Sequence, residues 1–124
     1  MNAWTRSQLE RKAAVGRGET VLANQAAGPD GQPVDGALIA WAKARGLFVL
    51  IDRRSRWGNP YLLGGAGPHD QVCDRYAEYF AGRPDLHARL PELRGKVLGC
   101  WCYPKRCHGE TLLAALERLA AGGG

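Results

Sequence analysis

"LFVLI", residues 47–51, is an unbroken apolar run held between Gly46 and Asp52. A half-buried strand would alternate apolar and polar residues, so a continuous run predicts a strand covered on both faces, as in a parallel sheet. Such a sheet needs helical crossovers on either side of the strand. Upstream, Gly28 to Gly36 carries three glycines and two prolines and must be a loop. Asp35 is then placed to cap a helix running to about Arg45, with Leu38, Trp41 and Ala42 on one face and Gly46 as its stop. Downstream, Asp70 opens a second helix in which Val72, Cys73, Tyr76, Ala77 and Phe80 recur at helical spacing, which assigns Cys73 to the core.

The same reading extends to both ends of the chain. Thr5 with Gln8 resembles a capping box for a short helix that stops before Gly16, and "ETVLAN", Glu19 to Asn24, predicts a short strand. Leu86, Leu90 and Leu93 predict a short helix, "KVLGCWC", Lys96 to Cys102, a third strand, and Cys107 to about Ala120 a last helix that turns Leu112, Leu113, Leu116 and Leu119 inward. Alternating strands and helices predict a small Rossmann-like three-layer α/β domain with a short, mainly parallel sheet. At 124 residues and 45% hydrophobic content the chain suits a single domain. It divides into a helical N-terminal extension (1–18), an α/β core (19–121) and a frayed tail (122–124).

No apolar stretch approaches the roughly 20 residues of a membrane span, and Met1 to Val15 is too polar for a secretory signal, so the expected location is the cytoplasm. The net charge of +5 is clustered. Lys43, Arg45, Arg53, Arg54 and Arg56 form one group, and Arg94, Lys96, Lys105 and Arg106 another. Such clusters suit an anionic partner, a nucleotide or a nucleic acid, although a solvated basic surface would look the same.

Ligands of open parallel sheets bind beyond the carboxyl ends of the strands. That rule gathers Asn24, the segment from Asp52 to Asn59, and Cys100 to His108 on one edge. Within the second segment Arg53, Arg54, Ser55, Arg56, Trp57, Gly58 and Asn59 offer planar cations for phosphate, a hydroxyl, an aromatic face for a base, and an amide. Arg53, next to Asp52 at the strand end, is the expected phosphate grip. Alternatively, Trp57 and Tyr61 roof the core while the arginines face water.

"CWCYPKRCHGE", residues 100–110, leaves three readings open. Cys100, Cys102, Cys107 and His108 have ligand types suited to zinc, at a spacing unlike the common zinc signatures. Without metal, Cys107 near a helix N-terminus and beside Lys105 and Arg106 is a candidate nucleophile, with His108 as its proton carrier. In the third reading the cysteines pack as small apolar side chains. Glu110 suits the first turn of any helix.

Three pieces of the sequence, "DRRSRWGNPY" (52–61), "VCDRYAEYF" (72–80) and "LRGKVLGCWCYPKRCHGETLLAAL" (93–116), together resemble the domain of unknown function 4326 found in bacteria and their phages. The resemblance runs from about Leu47 to Leu119, and "TRSQLERKAAVGRGETVLAN" (5–24) looks like the N-terminal extension of longer members. Glu110 stands where family patterns often carry Asp. Cys100…Cys107-His108 is also similar to the shorter "C…CHR" motif of another family with a nucleotide-binding-like fold. The resemblance implies a setting in bacterial or phage DNA or nucleotide metabolism.

The expected function is therefore binding of a nucleotide or nucleobase derivative by a pocket of Asn24, Asp52, Arg53, Arg54, Ser55, Arg56, Trp57, Gly58, Asn59, Cys100, Cys102, His108 and Glu110. Two alternatives are a zinc-stabilised nucleic-acid-binding module and a cysteine-dependent enzyme acting on a nucleobase or sugar through Cys107 and His108.

Overall fold

Thr5 begins the fold as expected: its hydroxyl accepts the backbone N–H of Gln8 at 3.1 Å and caps α1, Arg6–Gly16. The computed structural model describes residues 4–52, 54–60, 69–101, 103 and 105–121. The expectations placed on Arg53, Tyr61, Cys102 and the tail 122–124 lie outside the described residues.

After α1 the order is β1 (Val21–Asn24), α2 (Gly36–Ala44), β2 (Phe48–Leu50), α3 (His69–Ala81), α4 (Pro84–Arg89), a 3-10 turn (Leu90–Leu93), β3 (Val97–Cys100) and α5 (Gly109–Ala121). The fold is mixed α/β, about half helical, with a three-stranded parallel sheet in the order β1-β3-β2. Among the described residues no helix is long and apolar enough to cross a membrane.

Gln8 does not close the capping box on its own helix. Its buried amide reaches α2 instead, donating to the Val34 carbonyl and accepting the Leu38 N–H at 3.0 Å. Asp35, expected to cap α2, makes no side-chain cap bond. Its carboxylate accepts both Arg11 guanidinium nitrogens at 2.8 and 2.9 Å and the Asn24 N–H at 2.7 Å. A buried cation outcompetes a helix terminus for this carboxylate, so α1 supplies the cap of α2. Gly46, at φ +69, closes α2 in a Schellman turn: the Leu47 N–H bonds the Ala42 carbonyl and the Gly46 N–H that of Lys43.

In-register pairing sets Val21, Val97 and Phe48 side by side, then Leu22, Leu98 and Val49. Side chains alternate across a strand, so these two rows face opposite ways. The first row packs with Ala14, Val15, Leu38, Ile39 and Ala42 of α1 and α2. The second packs with Tyr76, Phe80, Leu86, Leu93, Leu112 and Leu116 of the later helices. Within "LFVLI", Phe48–Leu50 form a strand with apolar neighbours on both faces, but at an edge of the sheet and only half-buried, while Ile51 just past it is fully buried. The fully buried central strand is β3, where the sequence shows a glycine and a cysteine rather than a long aliphatic run.

Candidate functional site

All three strands point the same way, so their carboxyl ends form one edge, and the ladder runs one step past the last paired residues. The Gln25 N–H donates to the Cys100 carbonyl at 2.8 Å and the Ile51 N–H to the Gly99 carbonyl at 3.1 Å. Continuing the register places Gln25, Trp101 and Asp52 in one row on the α2 side of the sheet. Trp101 is 52% exposed, and its indole N–H donates to the Asp52 carboxylate at 3.2 Å. Arg54 clasps the same carboxylate, with Nε at 3.1 Å and Nη2 at 2.6 Å from Oδ2, while its backbone N–H donates to Oδ1. The Arg54 guanidinium, with smaller help from its own N–H and the Trp101 indole, holds the Asp52 carboxyl down at about 2. Trp101 is a residue that sequence reasoning missed. Its signal was the strand period, which puts it on the same face as Gly99, one residue beyond β3.

A second cluster joins the two expected segments from the other face. His108 Nε2 lies 2.6 Å from the Ile51 carbonyl, and the Tyr76 ring meets the imidazole edge-on with centroids 4.8 Å apart. Burial lowers the His108 pKa, against the opposing pull of the Ile51 carbonyl and the Asp52 charge. A carbonyl only accepts, so the neutral imidazole carries its proton on Nε2 and leaves Nδ1 as an acceptor. Nδ1 lies 3.9 Å from the Cys107 sulfur, which also receives the Gly109 N–H at 3.3 Å. Glu110 closes the turn by accepting the Cys107 N–H at 3.2 Å, a capping box with cysteine as the cap. Expected among ligand-facing residues, Glu110 has its carboxylate in this cap.

The remaining expected residues mostly shape the edge. Trp57, expected against a base, is 3% exposed within the core, and the buried Tyr76 hydroxyl donates to its carbonyl at 2.8 Å. An indole so enclosed has no open face for stacking. Ser55 Oγ donates to the Asp52 carbonyl and accepts the Trp57 N–H, and the Gly58 N–H bonds the Ser55 carbonyl. Asn59 donates to the Val72 carbonyl of α3. Asn24 uses its amide on the Tyr103 carbonyl and the Ala26 N–H, while Arg11 lies over the Tyr103 ring, 4.6 Å from its centroid. Cys100 is buried in the core. Of the four expected zinc ligands, Cys102 lies outside the described residues, and among the described residues no three His, Cys, Asp or Glu side chains converge to hold a metal.

The basic groups separate. Arg94 and Lys96 precede β3, and Lys43 and Arg45 precede β2, so all four sit toward the amino ends of the strands, away from this edge. Arg106 reaches α3, donating to Asp74 at 2.6 Å and to Asp70. Arg56 and Lys105 are exposed at the carboxyl edge and form no ion pair among the described residues. An open cavity of about 410 Å³ lies elsewhere, between Thr20, Arg94 and Leu113, and holds none of the expected site residues.

Residues 40–118 match the family model described as Domain of unknown function (DUF4326). The chain belongs to this family. The match takes in β2, α3, α4 and β3, most of α5 and the second half of α2, and leaves out α1 and β1, so the β1 side of the sheet's carboxyl edge comes from outside the matched segment. The chain is 36% identical over 75 residues to an uncharacterized 12.4 kDa protein in the nrdA-td intergenic region of Enterobacteria phage T4, covering 57% of this chain and 68% of that one. It is also 36% identical over 67 residues to the uncharacterized protein R718 of Acanthamoeba polyphaga mimivirus, covering 48% of this chain and about half, 51%, of that relative. No solved structure matches the chain.

Proposed function

We propose that the carboxyl edge of the sheet binds a nucleotide or nucleobase derivative, with Trp101 rather than Trp57 as the stacking surface. We read the helix-covered sheet as a small Rossmann-like three-layer domain, whose ligands bind at this edge. The observation that carries the reading is Trp101 itself: a large indole left half in water, with its orientation fixed by Asp52. An aromatic face held in place stacks a base without first having to be ordered. Arg56 and Lys105 are available for phosphate, and Arg53 remains the sequence-based choice for a bidentate grip. Arg54 is a weaker choice, because its fork is already occupied by Asp52. Viral relatives suit a cytoplasmic, phage- or prophage-encoded protein of nucleotide or DNA metabolism.

The test is a thermal-shift screen of mono-, di- and triphosphate nucleosides, nucleobases and short oligonucleotides, since a ligand of the folded state raises the melting temperature. A shift with a nucleotide that disappears in Trp101→Ala supports the proposal. A shift with oligonucleotides alone transfers the edge to nucleic-acid binding. No shift with any of them overturns the reading.

A further inference from the structure

We propose that Cys107 and His108 form a nucleophile–base pair that attacks an electrophilic carbon of the molecule held at the carboxyl ends of the strands. The identity of the molecule carrying that carbon rests on the nucleotide-binding reading; the reactivity of the pair does not.

Neighbours on a regular helix diverge by about 100° and would not face each other. Here Cys107 precedes the helical turn as its cap, so its sulfur swings back to within 3.9 Å of the adjacent imidazole. The Ile51 carbonyl fixes the ring by accepting the Nε2–H, which turns the bare Nδ1 toward sulfur. The Gly109 N–H points at the same sulfur from the first turn of α5, where helix partial charge favours an anion. A base held on one side by a hydrogen bond and facing a nucleophile on the other is the arrangement that activates thiols. The Asp52 charge, just past the end of β2, favours a proton on His108, Tyr76 approaches from α3, and Glu110 accepts the Cys107 N–H from α5. Cys73 on α3 donates to the Arg106 carbonyl one residue before the pair, and Arg106 itself is turned away toward Asp70 and Asp74.

In the step, the thiol proton moves to His108 Nδ1 as the sulfur lone pair forms an S–C bond. The electron pair displaced from the carbon passes to the departing or adjacent substrate atom, which takes the proton back from Nδ1. No oxidant is consumed.

A plain helix cap is the competing role, and serine fills that role at least as well as cysteine. Iodoacetamide separates the two, because it forms the same S–C bond with loss of iodide and needs no bound nucleotide. The folded protein is labelled at low reagent concentration and the rate at each cysteine read by peptide mass spectrometry. Cys73 and Cys100 are internal controls, being as buried as Cys107. Labelling of Cys107 at least tenfold faster than of both controls is expected. The rate should persist at pH 6.5–7.5, below the ordinary thiol range near 8.5, and fall only as His108 takes a proton. His108→Gln should remove the excess rate and return the profile to that of an ordinary thiol. Cys107→Ser should fold with unchanged melting temperature and lose the label. Equal rates at the three cysteines, or a Cys107 rate indifferent to His108→Gln, would overturn the proposal. Fast labelling in a protein that binds no nucleotide would leave the pair standing and remove only the nucleotide as its substrate.

Discussion

The indole N–H of Trp101 and the carboxylate of Asp52 meet at 3.2 Å across the carboxyl ends of neighbouring strands, joining the two segments that carry the chain's unusual residues. Trp101→Ala should change stability by no more than about 0.5 kcal/mol, as at other exposed positions, while abolishing the thermal shift by any nucleotide found in the screen. Trp101→Phe keeps a stacking face but loses the bond to Asp52, so it should retain part of the affinity. Urea unfolding and calorimetric titration of the three proteins check this. A binding constant unchanged by Trp101→Ala contradicts the stacking role.

Asp52 titrates at about 2 because Arg54 hydrogen-bonds its ionised form. Its folded pKa lies below the unfolded one, so the pair's contribution to stability is present above about pH 4 and is lost as the pH falls through the folded value. Arg54→Ala should raise the Asp52 pKa toward the ordinary carboxylate value near 3.9. Carboxyl carbon shifts followed by NMR from pH 1.5 to 6 measure it, and an Asp52 titration that does not move would show that Arg54 is not its main partner.

Gly109 opens α5 against the strands. A Cβ there would stand 2.6 Å from Leu22 Cδ2 and 2.9 Å from Ile51 Cδ1, both core side chains with little room to yield. Gly109→Ala should therefore destabilise by about 1–3 kcal/mol through overpacking. It should also shift the Ile51 and His108 resonances, since the displaced helix carries the imidazole. Alanine tolerated at no cost in urea unfolding would mean that this helix terminus is packed less closely.

Much of the frame could be read from sequence, because local signals and the final packing agree there: Thr5 as a cap, Gly46 as a stop, and strands and helices in alternation. What misled was polar competition over long sequence separations. Asp35 looks like a helix cap until Arg11, 24 residues earlier, is brought beside it, and Gln8 looks like half of a capping box until α2 lies across α1. Trp57 and Trp101 also could not be told apart from composition. Each follows basic or cysteine-rich sequence, yet Trp57 turns into the core under Tyr76, while strand alternation carries Trp101 out to water.

The Arg11–Asp35 pair is nearly enclosed, with side-chain exposures of 11% and 5%, and ties α1 to the start of α2 and the end of β1. Asp35→Asn keeps the shape but strands a buried guanidinium, and should cost about 3–5 kcal/mol. Adding Arg11→Met removes the stranded charge and should recover part of the loss, a coupling of about 0.5–3 kcal/mol. A double-mutant cycle in urea reads it, and strictly additive losses would mean that the two side chains act separately.

His108 makes the domain's stability depend on pH just below neutrality. Burial lowers its pKa, so the unfolded chain binds a proton more readily than the folded one just below pH 6.5. Stability from this group is full above that value and declines as the pH falls through the folded pKa. His108→Gln cannot take up a proton, and its amide can still donate to the Ile51 carbonyl, so its stability curve should be flatter between pH 7.5 and 5. Wild type and variant, unfolded in urea at half-unit pH intervals, should show the wild type losing stability relative to the variant as the pH falls from 7.5 to 5. Because Asp52 titrates far below this range, a slope that survives in the variant would move the titrating group away from His108.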